Sequence, residues 1–289
     1  MIFSSLDLAP ELQQALDNCG YSEMTAIQEQ AIIPARRGKD ILANAQTGTG
    51  KTAAFSIPIL QKMSDNPIPT VTGEPRALIL TPTRELAEQL EETIKRYAQF
   101  FSHSINALYG GVKLSTQEKK LKAGIDIVIA TPGRLLEHME KGNVKLSGVE
   151  FVVLDEADRM LDRGFIRDVN TLLGKTPVKP QTLLFSATIS QPVKALAKKI
   201  LNNHLLVSVA KQNATADTVE HVVYAVGEHQ KAELFVELIE RDNWFKVLVF
   251  TSTKRQADEL KIKLKDAGIK AGISHGDKSQ GSRRRALAD

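Results

Sequence analysis

The chain has 289 residues, of which 42% are hydrophobic, 25% charged and 5% aromatic, the balance of a globular protein and not of a fibrous or disordered one. No stretch approaches the ~20 apolar residues of a bilayer crossing, and the opening MIFSSLDLAPEL has no basic lead before an apolar core. One cysteine, Cys19, excludes an internal disulfide framework, and the six histidines show no zinc-binding spacing. The expectation is a cytoplasmic protein without membrane contact. The net charge of +4 is small and by itself barely favours nucleic acid over any other partner.

At about 150 residues per domain the length suggests two domains. Short apolar runs rich in Val, Ile and Leu predict buried strands at Asp40–Ala45, Arg76–Thr81, Ser104–Tyr109, Ile125–Ala130, Phe151–Asp155 and Gln181–Ser186. Helix-period stretches such as Arg84–Phe101 and Gln191–Leu201 follow them. Apolar strands alternating with helices predict an α/β fold, a parallel sheet covered on both faces. Its functional edge is the carboxyl end of the strands. The small and polar stretch Ala210–Thr218 breaks the pattern, and an interdomain linker is expected over 208–217. Beyond it, strands are expected at His221–Val226, Lys246–Thr251 and Lys270–Ser274, with helices around Gln230–Asp242, Lys254–Ala267 and Lys278–Asp289. Residues 218–289 are short for a domain, which typically has about 100–150.

Ala45-Gln46-Thr47-Gly48-Thr49-Gly50-Lys51-Thr52 follows a strand and opens a helix. Glycines there let backbone N–H groups face phosphate oxygens, and the helix N-terminus adds partial positive charge. Lys51 suits β- and γ-phosphates, and the Thr52 hydroxyl suits Mg²⁺. The general pattern opens with Gly where this chain has Ala45. Further on, Asp155-Glu156-Ala157-Asp158 follows an apolar strand directly. In a nucleotide hydrolase the first carboxylate at such a place holds Mg²⁺ and the second orients or deprotonates water. Alone the segment fits an acidic helix start equally well. With the phosphate loop it becomes the second half of one site.

In this combination the sequence resembles the DEAD-box RNA helicases, and within them the bacterial RhlE-like group. Phe3, Gly20-Tyr21 and Gln28 match the family's Q motif, so residues 1–29 are the Q-motif region and 30–207 the first RecA-like domain of a P-loop NTPase. The family's own phosphate loop carries Ala at the first position, as Ala45 does here. Pro82-Thr83-Arg84, Gly110-Gly111 and Thr131-Pro132-Gly133-Arg134 match its RNA-contacting motifs, and Ser186-Ala187-Thr188 the motif linking ATP state to strand separation. Thr251, Gly276, Gln280 and Arg283 fall in motifs that start a second RecA-like domain, partial here over 218–289. The resemblance implies an ATP- and Mg²⁺-dependent RNA helicase with Lys51, Asp155 and Glu156 as catalytic residues. Gln28 has the donor and acceptor to read the adenine edge, Tyr21 a face to stack the base, and Phe3 would pack nearby. The glycine and arginine segments suit sugar–phosphate contacts. Hydroxyls of Ser186 and Thr188 would bond Asp158. Ribosome assembly and RNA decay are the settings the group suggests.

Two departures stand out. Met24-Thr25-Ala26-Ile27 replaces a stretch that usually holds two prolines before the glutamine. The 289 residues also end before the family's last two motifs, which contact the ribose and γ-phosphate and include the arginine finger, so the resemblance implies impaired hydrolysis and unwinding. A non-catalytic ATP- and RNA-binding fragment is one alternative. A RecA-type DNA helicase is another, against which the adenine-reading motif weighs.

Overall fold

The computed structural model describes residues 1–177, 179–209 and 220–288. The chain divides into two units, Met1–Ala214 and Thr215–Asp289. In the first unit a 3-10 turn (Phe3–Leu6) leads into α1 (Pro10–Asn18), α2 (Ala26–Arg36), β1 (Ile41–Asn44), α3 (Lys51–Asp65), β2 (Ala77–Leu80) and α4 (Arg84–Tyr97). Then come β3 (Ile105–Leu108), α5 (Leu114–Lys122), β4 (Ile127–Ala130), α6 (Pro132–Glu140), β5 (Phe151–Leu154), α7 (Ala157–Asp162) and α8 (Ile166–Leu173). The unit closes with β6 (Gln181–Ser186), α9 (Gln191–Ile200) and β7 (Leu205–Ser208). All ladders are parallel, in the order β3-β4-β2-β5-β6-β1-β7.

The six predicted strands form where expected, five of them a little shorter and Gln181–Ser186 with the expected bounds. β7 had no prediction. It is an edge strand in which only Val207 is buried, so its pattern lacks the continuous apolar run that marks the inner strands. Alternate strand residues feed two cores. Ile41, Ala43, Ile79 and Val153 face a cluster built with Leu12, Ile27, Phe55 and Ile94 from α1–α4. Leu42, Leu78, Leu80 and Leu154 face a second with Leu121, Leu135, Met160, Val169 and Leu196 from α5–α9. Both faces are therefore apolar, and period-two alternation disappears from the strands.

Helix starts carry local chemistry. Thr25 and Gln28 form a capping box on α2, and the Thr83 hydroxyl accepts from Leu86 N at 3.2 Å to cap α4. Proline opens α6 and α9, where a missing N–H costs nothing. No described helix is long and apolar enough to cross a membrane.

The second unit has α10 (Lys231–Arg241), α11 (Lys254–Asp266) and α12 (Gln280–Ala288). The three strands expected there are a correction: His221–Val226, Lys246–Thr251 and Lys270–Ser274 belong to no ladder among the described residues. Phe245 and Phe250 lie 99% and 87% exposed. A strand exists only as a pairing with a neighbour, which an apolar pattern cannot supply alone. Apart from Ser208 and Val209, the expected linker 208–217 lies outside the described residues.

Candidate functional site

The strand order divides the carboxyl edge of the sheet into two halves. β5, β6 and β1 are consecutive neighbours, so the segments that follow them, 155–158, 186–188 and 45–52, meet. On the other side β3, β4 and β2 are neighbours, which gathers 110–111, 131–134 and 82–84. One half collects every residue read as a phosphate or metal contact, the other every first-unit residue read as an RNA contact.

In the first half, the Lys51 amine lies 3.5 Å from Asp155 Oδ1, with both side chains 7% exposed. Neither atom has a further hydrogen-bond partner among the described residues. Burial pushes the Asp155 carboxyl above its ordinary value, and the neighbouring Glu156 adds to this while Lys51 opposes it. Glu156 is held on both sides: its Oε1 accepts from the Thr47 hydroxyl at 3.1 Å, and Oε2 faces Arg159 at 2.9 Å. The backbone of Glu156 sits at φ 54°, ψ 50°, a left-handed conformation that costs a non-glycine residue about 1–2 kcal/mol. That turn aims the side chain back toward the loop after β1.

The loop itself bends at Gly48 and Gly50, with φ of 86° and 93°. Its first residue, Ala45, donates its N–H to Ser186 O at 2.9 Å. Gln46 O accepts from the Thr49 hydroxyl at 2.8 Å. The loop ends at Lys51 and Thr52, the first turn of α3, where orphan N–H groups collect.

Gln28 is latched onto this loop. Its Nε2 donates to Gly50 O at 3.1 Å and its Oε1 accepts from Thr25 N at 2.8 Å, while the Thr25 hydroxyl donates to Thr49 O at 2.8 Å. One N–H and one lone pair of the carboxamide are already used, leaving one of each for a base edge. Phe3 packs beside Tyr21, as expected. It is 1% exposed and stacks on Tyr21 with ring centroids 5.7 Å apart, so it supports Tyr21 and presents no face of its own. The Tyr21 hydroxyl is bonded to that of Tyr97 at 2.8 Å.

Asp158 joins the first half to β6. Its Oδ2 accepts from both the N–H and the hydroxyl of Thr188, each at 2.9 Å. Ser186 Oγ accepts from Asp158 N at 3.3 Å and donates to Thr188 O at 2.8 Å.

In the second half, the Arg84 guanidinium occupies the space a Cβ on Gly111 would need, and Gly111 has φ 86°. Pro82 and Thr83 lead into α4, while Thr131, Pro132 and Gly133 form the start of α6. Arg134 points inward instead of presenting its charge. It donates to Val112 O at 2.9 Å and Gln117 Oε1 at 3.1 Å, pairs with Glu137 at 2.9 Å, and is 11% exposed. In the second unit the Thr251 hydroxyl donates to Thr253 O at 3.0 Å, Gly276 lies beside Lys254, and Arg283 N donates to Ser279 O at 3.0 Å. Gln280 opens α12, and its side chain is outside the described residues.

A model of the DEAD/DEAH box helicases matches residues 25–196, and one of the helicase conserved C-terminal domain matches 230–289. The chain belongs to the DEAD/DEAH box helicase family. It is 41% identical over 290 residues to the ATP-dependent RNA helicase RhlB of Pseudomonas aeruginosa, spanning 99% of this chain and 73% of that one. Against the DEAD-box ATP-dependent RNA helicase RhpA of Helicobacter pylori the identity is 38% over 285 residues, 57% of its length. Among solved structures it resembles a DEAD box protein from the hyperthermophile Methanococcus jannaschii at 37% identity and a TM-score of 0.67, covering 100% of this chain and 76% of that one. Within a DEAD-box frame, residues without a motif to announce them also shape the site. Thr25, Gln117 and His138 act through hydrogen bonds to segments distant in sequence, which leave no local signature, while Arg159 pairs with Glu156 three residues before it.

Proposed function

We propose that this chain is the ATP- and RNA-binding part of an ATP-dependent RNA helicase, coupling nucleotide hydrolysis to local separation of RNA strands in the cytoplasm. The observation that carries the reading is the convergence of Thr47, Lys51, Asp155 and Glu156 at one edge, bonded through Asp158 to Ser186 and Thr188. The narrower RhlE-like placement rests on the motif pattern alone, as does any role in ribosome assembly or RNA decay.

In this reading the amides of Gln46–Thr52 cradle the nucleotide phosphates and Lys51 neutralises their charge. Gln28 spends its remaining donor and acceptor on the adenine edge, and Tyr21, backed by Phe3, stacks on the base. The Mg²⁺ expectation fits the donor set. Lys51 Nζ and Asp155 Oδ1 are buried without further hydrogen-bond partners. Thr52 and Asp155 would hold the cation, which would supply charge neutralisation to the bound nucleotide phosphates. Glu156, aimed by Thr47, orients the attacking water and accepts its proton. The Asp158–Thr188 bonds transmit the geometry of this edge to β6. Arg84, Gly110, Gly111 and the start of α6 take the sugar–phosphate backbone.

Replacing Glu156 by Gln tests the assignment. Binding of ATP should persist while phosphate release falls by about 10²–10⁴, the usual contribution of a positioned base. Undiminished release in Glu156→Gln removes Glu156 from the reaction.

A further inference from the structure

The loop that carries Gly110 and Gly111 has no fixed shape of its own, since two adjacent glycines restrain the backbone least. Yet both of its ends are tied down by buried side chains. On the entry side, Gln117 of α5 donates Nε2 to Tyr109 O at 3.0 Å. On the exit side, Arg134 of α6 donates Nη1 to Val112 O at 2.9 Å. The two ties meet: Gln117 Oε1 accepts from Arg134 at 3.1 Å and is 2.9 Å from His138 Nε2. His138 Nδ1 faces the Asn143 amide at 3.3 Å, and that amide also donates to Glu118 at 3.2 Å.

Donor and acceptor counting assigns the ring. Asn143 can only donate through its Nδ2, so Nδ1 accepts and Nε2 carries the proton that Gln117 Oε1 receives. Gln117 is thereby saturated on the oxygen side by two donors, and its amide is turned toward Tyr109 O. Gln117 and His138 are 3% and 0% exposed, so neither is available to a ligand. Burial and the Arg134 charge hold the His138 ring below its ordinary value, consistent with a neutral imidazole.

We infer that Gln117 and His138 are positioning residues that hold the Gly110–Gly111 loop in its RNA-binding shape, Gln117 directly and His138 by orienting the Gln117 amide. The inference rests on the RNA-binding reading of that loop. Pre-ordering matters because a glycine pair otherwise loses its freedom only when RNA arrives, at the expense of affinity. Arg134 belongs to the same clamp, so its contribution to RNA binding is made largely through Val112 O.

Gln117→Met keeps the side-chain length and removes both hydrogen-bonding ends. His138→Leu removes the orienting donor, and His138→Gln restores an amide donor at that place. Two measurements on the 289-residue chain separate the clamp from the RNA reading. Amide hydrogen exchange over residues 109–113 should quicken about tenfold in Gln117→Met and His138→Leu and return toward the parent in His138→Gln, with residues 45–52 unchanged. Affinity for single-stranded RNA should fall about five- to tenfold in the first two, with a salt slope smaller by about 0.7, one phosphate contact. ADP affinity should stay within about twofold. Unchanged exchange in folded Gln117→Met and His138→Leu overturns the clamp, whatever the RNA result. Quickened exchange in the variants, with a parent chain that binds no RNA, leaves the clamp standing and overturns the RNA reading instead. If Gln117→Met does not fold, the His138 pair carries the same comparison.

Discussion

The latch between α2 and the phosphate loop can be measured by adding one methyl group. Gly48 and Gly50 both sit in the left-handed region, at φ 86° and 93°, but a Cβ on Gly48 would meet nothing within 4 Å. A Cβ on Gly50 would run into Gln28 Nε2 and lie 3.0 Å from Thr25 Oγ1. Gly48→Ala therefore reports the conformational cost alone, about 1–2 kcal/mol. Gly50→Ala adds the displacement of Gln28, which loses its bonds to Gly50 O and Thr25 N at about 1 kcal/mol each. For a unit of this size about 2–4 °C of melting temperature corresponds to 1 kcal/mol. Gly48→Ala should thus lower the midpoint by roughly 2–8 °C and Gly50→Ala by roughly 4–8 °C more. Circular dichroism is dominated by the first unit, which holds most of the helix, and the single tryptophan, Trp244, reports the second separately by fluorescence. In a Gln28→Ala background the difference between the two alanines should vanish. Equal midpoints in the parent background, or a gap that survives Gln28→Ala, would refute the latch.

Three further outcomes follow from the same geometry. The chain should prefer ADP to GDP by roughly 1–3 kcal/mol, because O6 of guanine leaves a glutamine set for adenine unpaired; titration of both nucleotides checks it, and Gln28→Ala should flatten the difference. Folding stability should decline as pH drops below about 6.5, because burial lowers the folded-state values of His103 and His138 while the unfolded chain protonates at the ordinary one. Each contributes a slope of up to about 1.4 kcal/mol per pH unit until its folded value is passed, with Asp155, whose value is raised, acting in the opposite sense; urea unfolding from pH 5 to 8 should show His138→Leu with the shallower slope. Finally, RNA should stimulate phosphate release by these 289 residues weakly compared with a version carried through the two later family motifs, since an arginine finger contributes about 10³–10⁵ in rate; equal stimulated rates in the two would show that finger to be dispensable.

The inner strands of the first unit and the phosphate loop were legible in the sequence because their causes are local. A strand buried on both faces must be apolar throughout, and a loop that turns its amides on phosphate needs glycine where φ is positive. The acidic segment and the hydroxyls of 186–188 were legible as types, and their bonds through Asp158 Oδ2 needed β5 and β6 to be neighbours. What the tertiary structure decided is everything that depends on a partner distant in sequence. Phe3 turned out to back Tyr21, and Gln28 to hold Gly50. Arg134, read from its motif as a sugar–phosphate contact, is turned toward Val112 O and Gln117. The same reason explains the second unit, where Lys246–Thr251 has the apolar pattern of a strand and no ladder among the described residues. Pattern sets which backbone could pair, but hydrogen bonds between segments far apart in the chain form only where the fold brings both together.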